Sequence, residues 1–171
     1  YGVPVCYAEP LWNSEPLQKM FVARANANLN GSDKSKVGVL LAGHGQPDDW
    51  DRIYPTQTAQ ENAFRESIKA RLVADGYRPE NISLGWMDFK KPGIEEAARD
   101  LAARGVEKIF VCATSISASS LHSLYDIPQA VIDSGIPKSV AVVNLGAWDN
   151  DPLVIQAIKE QLATCKTAPG N

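Results

Sequence analysis

The sequence predicts an α/β fold of three layers, with a parallel sheet of four or five strands between helices. Three observations predict it. Strand-like and helix-like segments alternate from end to end, as in a sheet built with helical crossovers. Val37 to Ala42 is an unbroken apolar run, the pattern of a strand buried on both faces. Phe64, Ile68 and Leu72 recur at helical spacing, so that segment covers the sheet with one apolar face.

The elements follow in order. Val3 to Ala8 reads as a strand and Glu15 to Leu29 as a helix, with a polar loop from Asn28 to Lys36 containing Gly31, Ser32 and Asp33. After the Val37–Ala42 strand, Thr56 to Ala74 reads as a helix and Ile82 to Met87 as a strand. Pro92 suits the first turn of a helix whose apolar stripe is Ile94, Ala97, Ala98 and Leu101. Val106 to Ala113 is a strand, His122 to Ser134 a helix, Val140 to Leu145 a strand and Asp151 to Thr164 the last helix. Thr167 to Asn171 reads as a frayed tail.

Bulk properties narrow the function. With 171 residues and 44% hydrophobic content, the chain can bury one sound core. A net charge of -3 and the lack of a basic stripe argue against nucleic acid as partner. The apolar runs are strand-sized, so no transmembrane segment is expected. No signal peptide is visible, although the chain starts at Tyr1 and not Met. Cys6, Cys112 and Cys165 are few and far apart, and read as reduced thiols of a cytoplasmic protein.

One internal similarity stands out. Trp12-Asn13-Ser14-Glu15-Pro16-Leu17 matches Trp148-Asp149-Asn150-Asp151-Pro152-Leu153, an offset of 148 − 12 = 136 residues. Both copies follow an apolar strand and open a helix. Either they share the common grammar of helix starts, or a half-domain is duplicated and the opening strand and helix end a first copy.

The chain has two histidines, each near the end of a strand. His44 lies in Gly43-His44-Gly45 directly after the Val37–Ala42 run. His122 follows the Val106–Ala113 strand by a Ser-rich stretch, in Leu121-His122-Ser123-Leu124-Tyr125-Asp126-Ile127-Pro128. Ligands of open parallel sheets bind outside the carboxyl ends of the strands. Two imidazoles converging there can hold a borderline divalent metal or move protons near neutral pH. His122 and Asp126 are four apart and share one helix face, so the carboxylate can orient the ring. Ser115, Ser117, Ser119 and Ser120 lack a nucleophile elbow and read as helix caps. Trp50, Tyr54, Trp86 and Phe89 lie in or beside the loops above the sheet, as stacking surfaces or as loop packing. Lys90, Lys91 and Arg52 read as solvated charges or as contacts for acidic substituents.

Gly43-His44-Gly45, with His122 and Asp126-Ile127-Pro128 four residues later, resembles the chelatases that insert metal into tetrapyrroles. That group includes ferrochelatase and the smaller cobalt and iron chelatases acting on sirohydrochlorin. The resemblance runs from about Val37 to Leu162. Gly43-His44-Gly45-Gln46-Pro47 fills the place of a ferrochelatase Ala-His-Ser-Leu-Pro, and Tyr54-Pro55 and Leu124-Tyr125 match further ferrochelatase pairs. Ferrochelatases usually have Glu where this chain has His122, and the small chelatases have His. Where small chelatases often have Glu at the end of the second strand, this chain has the shorter Asp88.

The resemblance implies a chelatase-like half-domain over residues 37–165. Residues 1–30 would resemble the end of a preceding half, and residues 166–171 a tail. It implies an enzyme that inserts iron or cobalt into a porphyrin or related tetrapyrrole, whose site this chain holds whole or in part. His44, His122 and Asp126 would be catalytic, and His44, His122 and Asp88 would hold the metal. The metal is substrate, so no separate cofactor is implied. A homodimer or an N-terminal half missing from this chain would close the cleft over the tetrapyrrole. Two other readings stand beside this one: a non-catalytic metal- or haem-binding module derived from a chelatase half, and a metal-dependent hydrolase.

Overall fold

The computed structural model of the chain describes residues 5–164 and 166–167. It begins with β1 (Cys6–Tyr7) and α1 (Glu15–Ala27), then β2 (Val37–Gly43), α2 (Asp48–Ile53), α3 (Pro55–Ala74) and β3 (Ile82–Trp86). There follow α4 (Ile94–Ala103), β4 (Lys108–Ala113), a π-helical turn (His122–Asp126), α5 (Ile127–Asp133), β5 (Ala141–Asn144), α6 (Pro152–Ala163) and β6 (Lys166–Thr167). Four strands make one parallel sheet in the order β3-β2-β4-β5. The α/β expectation holds, with four strands in the sheet.

The period-2 alternation of buried strands divides the core into two. Val37, Val39 and Leu41 of β2, with Phe110 and Cys112 of β4, face Leu17, Met20 and Phe21 of α1 and Phe64, Ile68 and Leu72 of α3; Val154 and Ala157 of α6 complete this side. Leu40 and Ala42, with Ile109, Val111 and Ala113, face Ile94, Ala97, Ala98 and Leu101 of α4 and Ile127 and Val131 of α5. Both faces of β2 and β4 are therefore covered, which is why their sequences are apolar without interruption. A buried Leu such as Leu101 is worth about 1.5–3 kcal/mol in removed apolar surface.

The two copies of the internal similarity both open helices. Ser14 caps α1 by accepting from Leu17 N–H, and Asp151 caps α6 by accepting from Leu153 N–H, each with Pro in the first turn. The two helices pack on each other. Arg24 of α1 reaches across to the segment before α6, donating to Leu145 O at 3.1 Å, Trp148 O at 2.9 Å, Asp151 Oδ2 at 3.2 Å and Ala147 O. Through these contacts α1 is part of the same core as the sheet.

Several local expectations are corrected. The described part of the expected first strand is only Cys6–Tyr7, which is exposed and pairs antiparallel with Lys166–Thr167 instead of joining the parallel sheet. Val3 lies outside the described residues, as do positions 168–171 of the expected tail. Asp48–Ile53, which carries no apolar stripe, is helical because Pro47 opens it and three acids occupy its first turn. The helix after Pro92 begins at Ile94, where Glu96 accepts from Gly93 N–H at 2.9 Å. Cys6 is disulfide-bonded, so it is not the reduced thiol expected. Cys112 is a free thiol, and burial pushes its pKa up to about 12; Cys165 lies outside the described residues. Among the described residues no helix is long and apolar enough to cross a membrane.

Candidate functional site

The strand order fixes where the site must be. From β2 the chain leaves towards β3 on one side, and from β4 it leaves towards β5 on the other. The loops after these neighbouring strands diverge and open a crevice at their carboxyl ends, the topological switch point of the sheet. His44 leads one loop and His122 ends the other.

The His44 turn is shaped from below by Glu61 of α3. Its carboxylate accepts from His44 N–H at 2.6 Å and Gly45 N–H at 3.3 Å, and also from the Ser115 hydroxyl. The glycines on either side of His44 each make room for a specific neighbour. A Cβ at Gly43 would lie 2.9 Å from both the Arg65 guanidinium and Glu61 Oε1. At Gly45, φ is +83° and a Cβ would meet Asp88 O at 2.4 Å, so only glycine fits. Arg65 is fully buried, stacked 3.7 Å from the Trp86 ring centre and donating to Gly85 O and Asn62 Oδ1 at 2.8 Å each. Burial draws its pKa down to about 10, which leaves it a cation at neutral pH.

His122 stands on the π-helical turn before α5. Ile127 N–H bonds back to His122 O, a five-residue step. Pro128 then has no N–H with which to continue the helical ladder, so the wider turn is accommodated there. Ser120 and Ser123 exchange backbone and hydroxyl hydrogen bonds at the start of this turn. Ser120 is therefore the cap that was expected. Ser115 instead bonds Glu61, and Ser119 bonds Asp149 through both its N–H and its hydroxyl. His122 Nδ1 lies 2.7 Å from Asp126 Oδ2.

The two imidazoles meet. Their ring centroids are 5.9 Å apart and the rings cross at 75°. Their hydrogen bonds also decide their tautomers. His44 Nδ1 lies 2.8 Å from Gly45 O, a carbonyl that can only accept. His122 Nδ1 faces a carboxylate. In both neutral rings the proton therefore sits on Nδ1, and the lone pair is on Nε2. Among the described residues no hydrogen bond engages either Nε2.

Beside His44 opens a cavity of about 540 Å³, lined by Gly45, Gln46, Pro47, Trp50, Tyr54, Gln57 and Phe89. Trp50, Tyr54 and Phe89 are more than half exposed, as are Leu121, Leu124 and Tyr125 around His122. An apolar, largely aromatic rim of this kind suits a flat ligand. Phe89 holds φ at +62°, an unusual conformation for a bulky residue, and Asp88 Oδ1 supports it by accepting Phe89 N–H at 3.0 Å. α2, which carries Trp50, is held by Asp51. That carboxylate takes Gln46 Nε2 at 2.5 Å, Thr58 Oγ1 at 2.7 Å and the Lys90 ammonium. Hydrogen bonds from Lys90, then Thr58 and Gln46, draw the Asp51 pKa down to about 2.

Of the residues singled out from sequence, His44, His122 and Asp126 come together. Asp88 is brought beside His44 through the backbone, Asp88 N–H donating to His44 O at 3.1 Å, while its carboxylate serves Phe89. Among the described residues no three His, Cys, Asp or Glu side chains gather closely enough to hold a metal ion. Trp50, Tyr54 and Phe89 line the cavity, but Trp86 is buried under Arg65. Lys90, Lys91 and Arg52 are paired with Asp48 and Asp51, Glu96 and Asp49 respectively. Glu61, Arg65 and Asp51 carry no expectation from sequence, and Ser115, read as a helix cap, bonds Glu61 instead. A signal existed for the first two: they share the α3 stripe with Phe64, Ile68 and Leu72, and charge on a core-facing stripe calls for a partner.

Residues 38–165 match the family model described as CbiX. The chain belongs to the CbiX family. Within this family's span lie β2 from its second residue, β3 to β5, α6 and both histidines; α1 precedes it. A sirohydrochlorin cobaltochelatase of Methanothermobacter thermautotrophicus is 36% identical over 110 residues. That alignment covers 62% of this chain and 66% of the relative, just under two thirds of its length. CbiX membership thus agrees with the resemblance that the motifs around His44 and His122 carry.

Proposed function

We propose that this chain inserts a divalent metal, cobalt or iron, into a porphyrin or related tetrapyrrole. The observation that carries this reading is the pair of imidazoles 5.9 Å apart, both with Nε2 uncommitted, beside an aromatic-rimmed cavity. The named activity of the cobaltochelatase relative supports it. Insertion replaces two pyrrole N–H bonds by bonds to the metal, so two protons must leave. Neutral imidazoles accept protons near pH 7. They also hold cobalt or iron by few, exchangeable bonds, so that the metal can be handed over. In this reading His44 and His122 share metal holding and proton removal. Asp126 fixes the His122 tautomer and stabilises the imidazolium that forms. Trp50, Tyr54 and Phe89 stack on the macrocycle.

The crevice is open, and a wide flat ligand on one such face keeps its other face in water. A second copy of the chain or a further half-domain closes the site in this proposal. The test is a metal-insertion assay with Co²⁺ or Fe²⁺ and a free-base tetrapyrrole, followed by absorbance across protein concentration and paired with sedimentation. Insertion with specific activity rising as dimer forms is the expected result. Binding of metal or tetrapyrrole with no insertion at any concentration would turn the reading to a non-catalytic binding module.

A further inference from the structure

We propose that Glu61 is a positioning residue for the two-histidine site: its buried carboxylate clamps the His44 turn to the Ser115 loop and thereby sets the distance between the imidazoles. The inference rests on the metal-insertion reading above for its catalytic consequence, but its geometry stands apart from that reading.

Glu61 is 9% exposed and lies on the core-facing stripe of α3. Burying an ionised carboxylate costs several kcal/mol that an apolar residue of similar size avoids. What the carboxylate does there is specific. One oxygen takes His44 N–H and the Ser115 hydroxyl together, and the other takes Gly45 N–H. Ser115 begins the loop that leads from β4 to His122. A single anion thus joins the His44 turn itself to the root of the loop that ends in His122, across the crevice between β2 and β4. Hydrogen bonds to an ionised acceptor are about twice as strong as neutral ones, and here they are sheltered from water.

The packing around Glu61 leaves this carboxylate no slack. Gly43 has no Cβ, and any Cβ there would press on Glu61 Oε1 and Arg65 together at 2.9 Å. Arg65, one turn further along α3, braces the strand side of the same turn through Gly85 O and Leu41 O. The His44 ring itself makes no hydrogen bond to the carboxylate; its Nδ1 is turned to Gly45 O. Glu61 therefore acts through the backbone, and its removal should loosen the imidazole pair while leaving the aromatic side chains Trp50, Tyr54 and Phe89 in place.

The test compares Glu61→Gln, Ser115→Ala and, as control on the exposed side of α3, Glu66→Gln. Glutamine keeps the size of Glu61 but turns an amide towards one of the three donors. Loss of one charge-assisted bond corresponds to about tenfold. Co²⁺ affinity and the rate of insertion should each fall about tenfold in Glu61→Gln and Ser115→Ala. The KM for tetrapyrrole, fluorescence quenching by a free-base porphyrin, and circular dichroism should not change. A general loss of structure would move all of these together. If Glu61→Gln fails to fold, Ser115→Ala carries the test. If the wild type inserts no metal, the functional reading fails by itself. The clamp is then read as the nuclear Overhauser effect between the two imidazoles in metal-free protein, lost in the first two variants and kept in Glu66→Gln. Wild-type Co²⁺ affinity and an intact ring-to-ring signal in both clamp variants would overturn the proposal.

Discussion

The rings of His44 and His122 meet edge to face, 5.9 Å between centroids, at the carboxyl ends of the neighbouring parallel strands β2 and β4. Each is turned by an Nδ1 hydrogen bond so that Nε2 carries the lone pair. A shared metal is the simplest use of such a pair. Calorimetry with Co²⁺ or Zn²⁺ should show one site. His44→Ala and His122→Ala should each weaken it by more than about a hundredfold, beyond the cost of losing a supporting group. Glu160→Ala, on the exposed side of α6, should leave it alone. Equal affinity in all four proteins would remove the metal site from the account.

Asp126 fixes the His122 tautomer through the 2.7 Å contact with Nδ1. Asp126→Leu removes the only acceptor this ring has among the described residues, and a free neutral imidazole favours its proton on Nε2. Nitrogen chemical shifts, with just two histidines to assign, should show His122 passing from mainly Nδ1–H to mainly Nε2–H. His44 should keep its own tautomer, because Gly45 O is untouched. Insertion should slow by about ten- to a hundredfold, the usual cost of losing the group that orients a histidine. A His122 spectrum unchanged by the substitution would show that the carboxylate does not set the ring.

Asp51 gives the cavity wall an acid limb. Its pKa in the folded chain is about 2 against 3.8 for the free group, through hydrogen bonds from Lys90, Thr58 and Gln46. A depressed carboxylate contributes stability above its unfolded pKa and loses it as pH falls through the folded one. The contribution is therefore nearly whole above about pH 4 and is lost as pH falls through about 2. In Lys90→Met the largest cause of the shift is absent. The melting temperature of the variant should lie below that of the wild type from pH 5 to 8, and the gap should close on approach to pH 2. A gap that stays constant down to pH 2 would mean that Lys90 and Asp51 do not interact in solution.

Much of this architecture was legible in the residues, for a physical reason. Strands buried on both faces must be apolar throughout, so β2 announces itself in Val37–Ala42. Helices that cover them must repeat every third or fourth residue, as Ile94, Ala97, Ala98 and Leu101 do. Where burial did not dictate residue type, the reading was less sharp. α2 has no buried residue and β1 is wholly exposed, so neither leaves a hydrophobic pattern to find. The redox state of Cys6 depends on what lies next to it in space, which spacing along the chain does not reveal.

The site divides in the same way. By itself the sequence determined the fold class, the chain order of the parallel strands and of the helices that cover them, and the two histidines near strand ends with an aspartate at i+4 from the second. Those facts are local, or follow from periodicity. The tertiary structure alone decided that β2 and β4 are neighbours, so that the two imidazoles meet. It also decided that Glu61 and Ser115 join under them, and that Asp88 serves Phe89 while Asp51 and Lys90 hold the cavity wall. Each of these is a pairing of polar groups between distant parts of the chain. Hydrophobic periodicity says which face of an element is buried, but not which donor on another element meets the acceptor it carries; strand order and packing settle that.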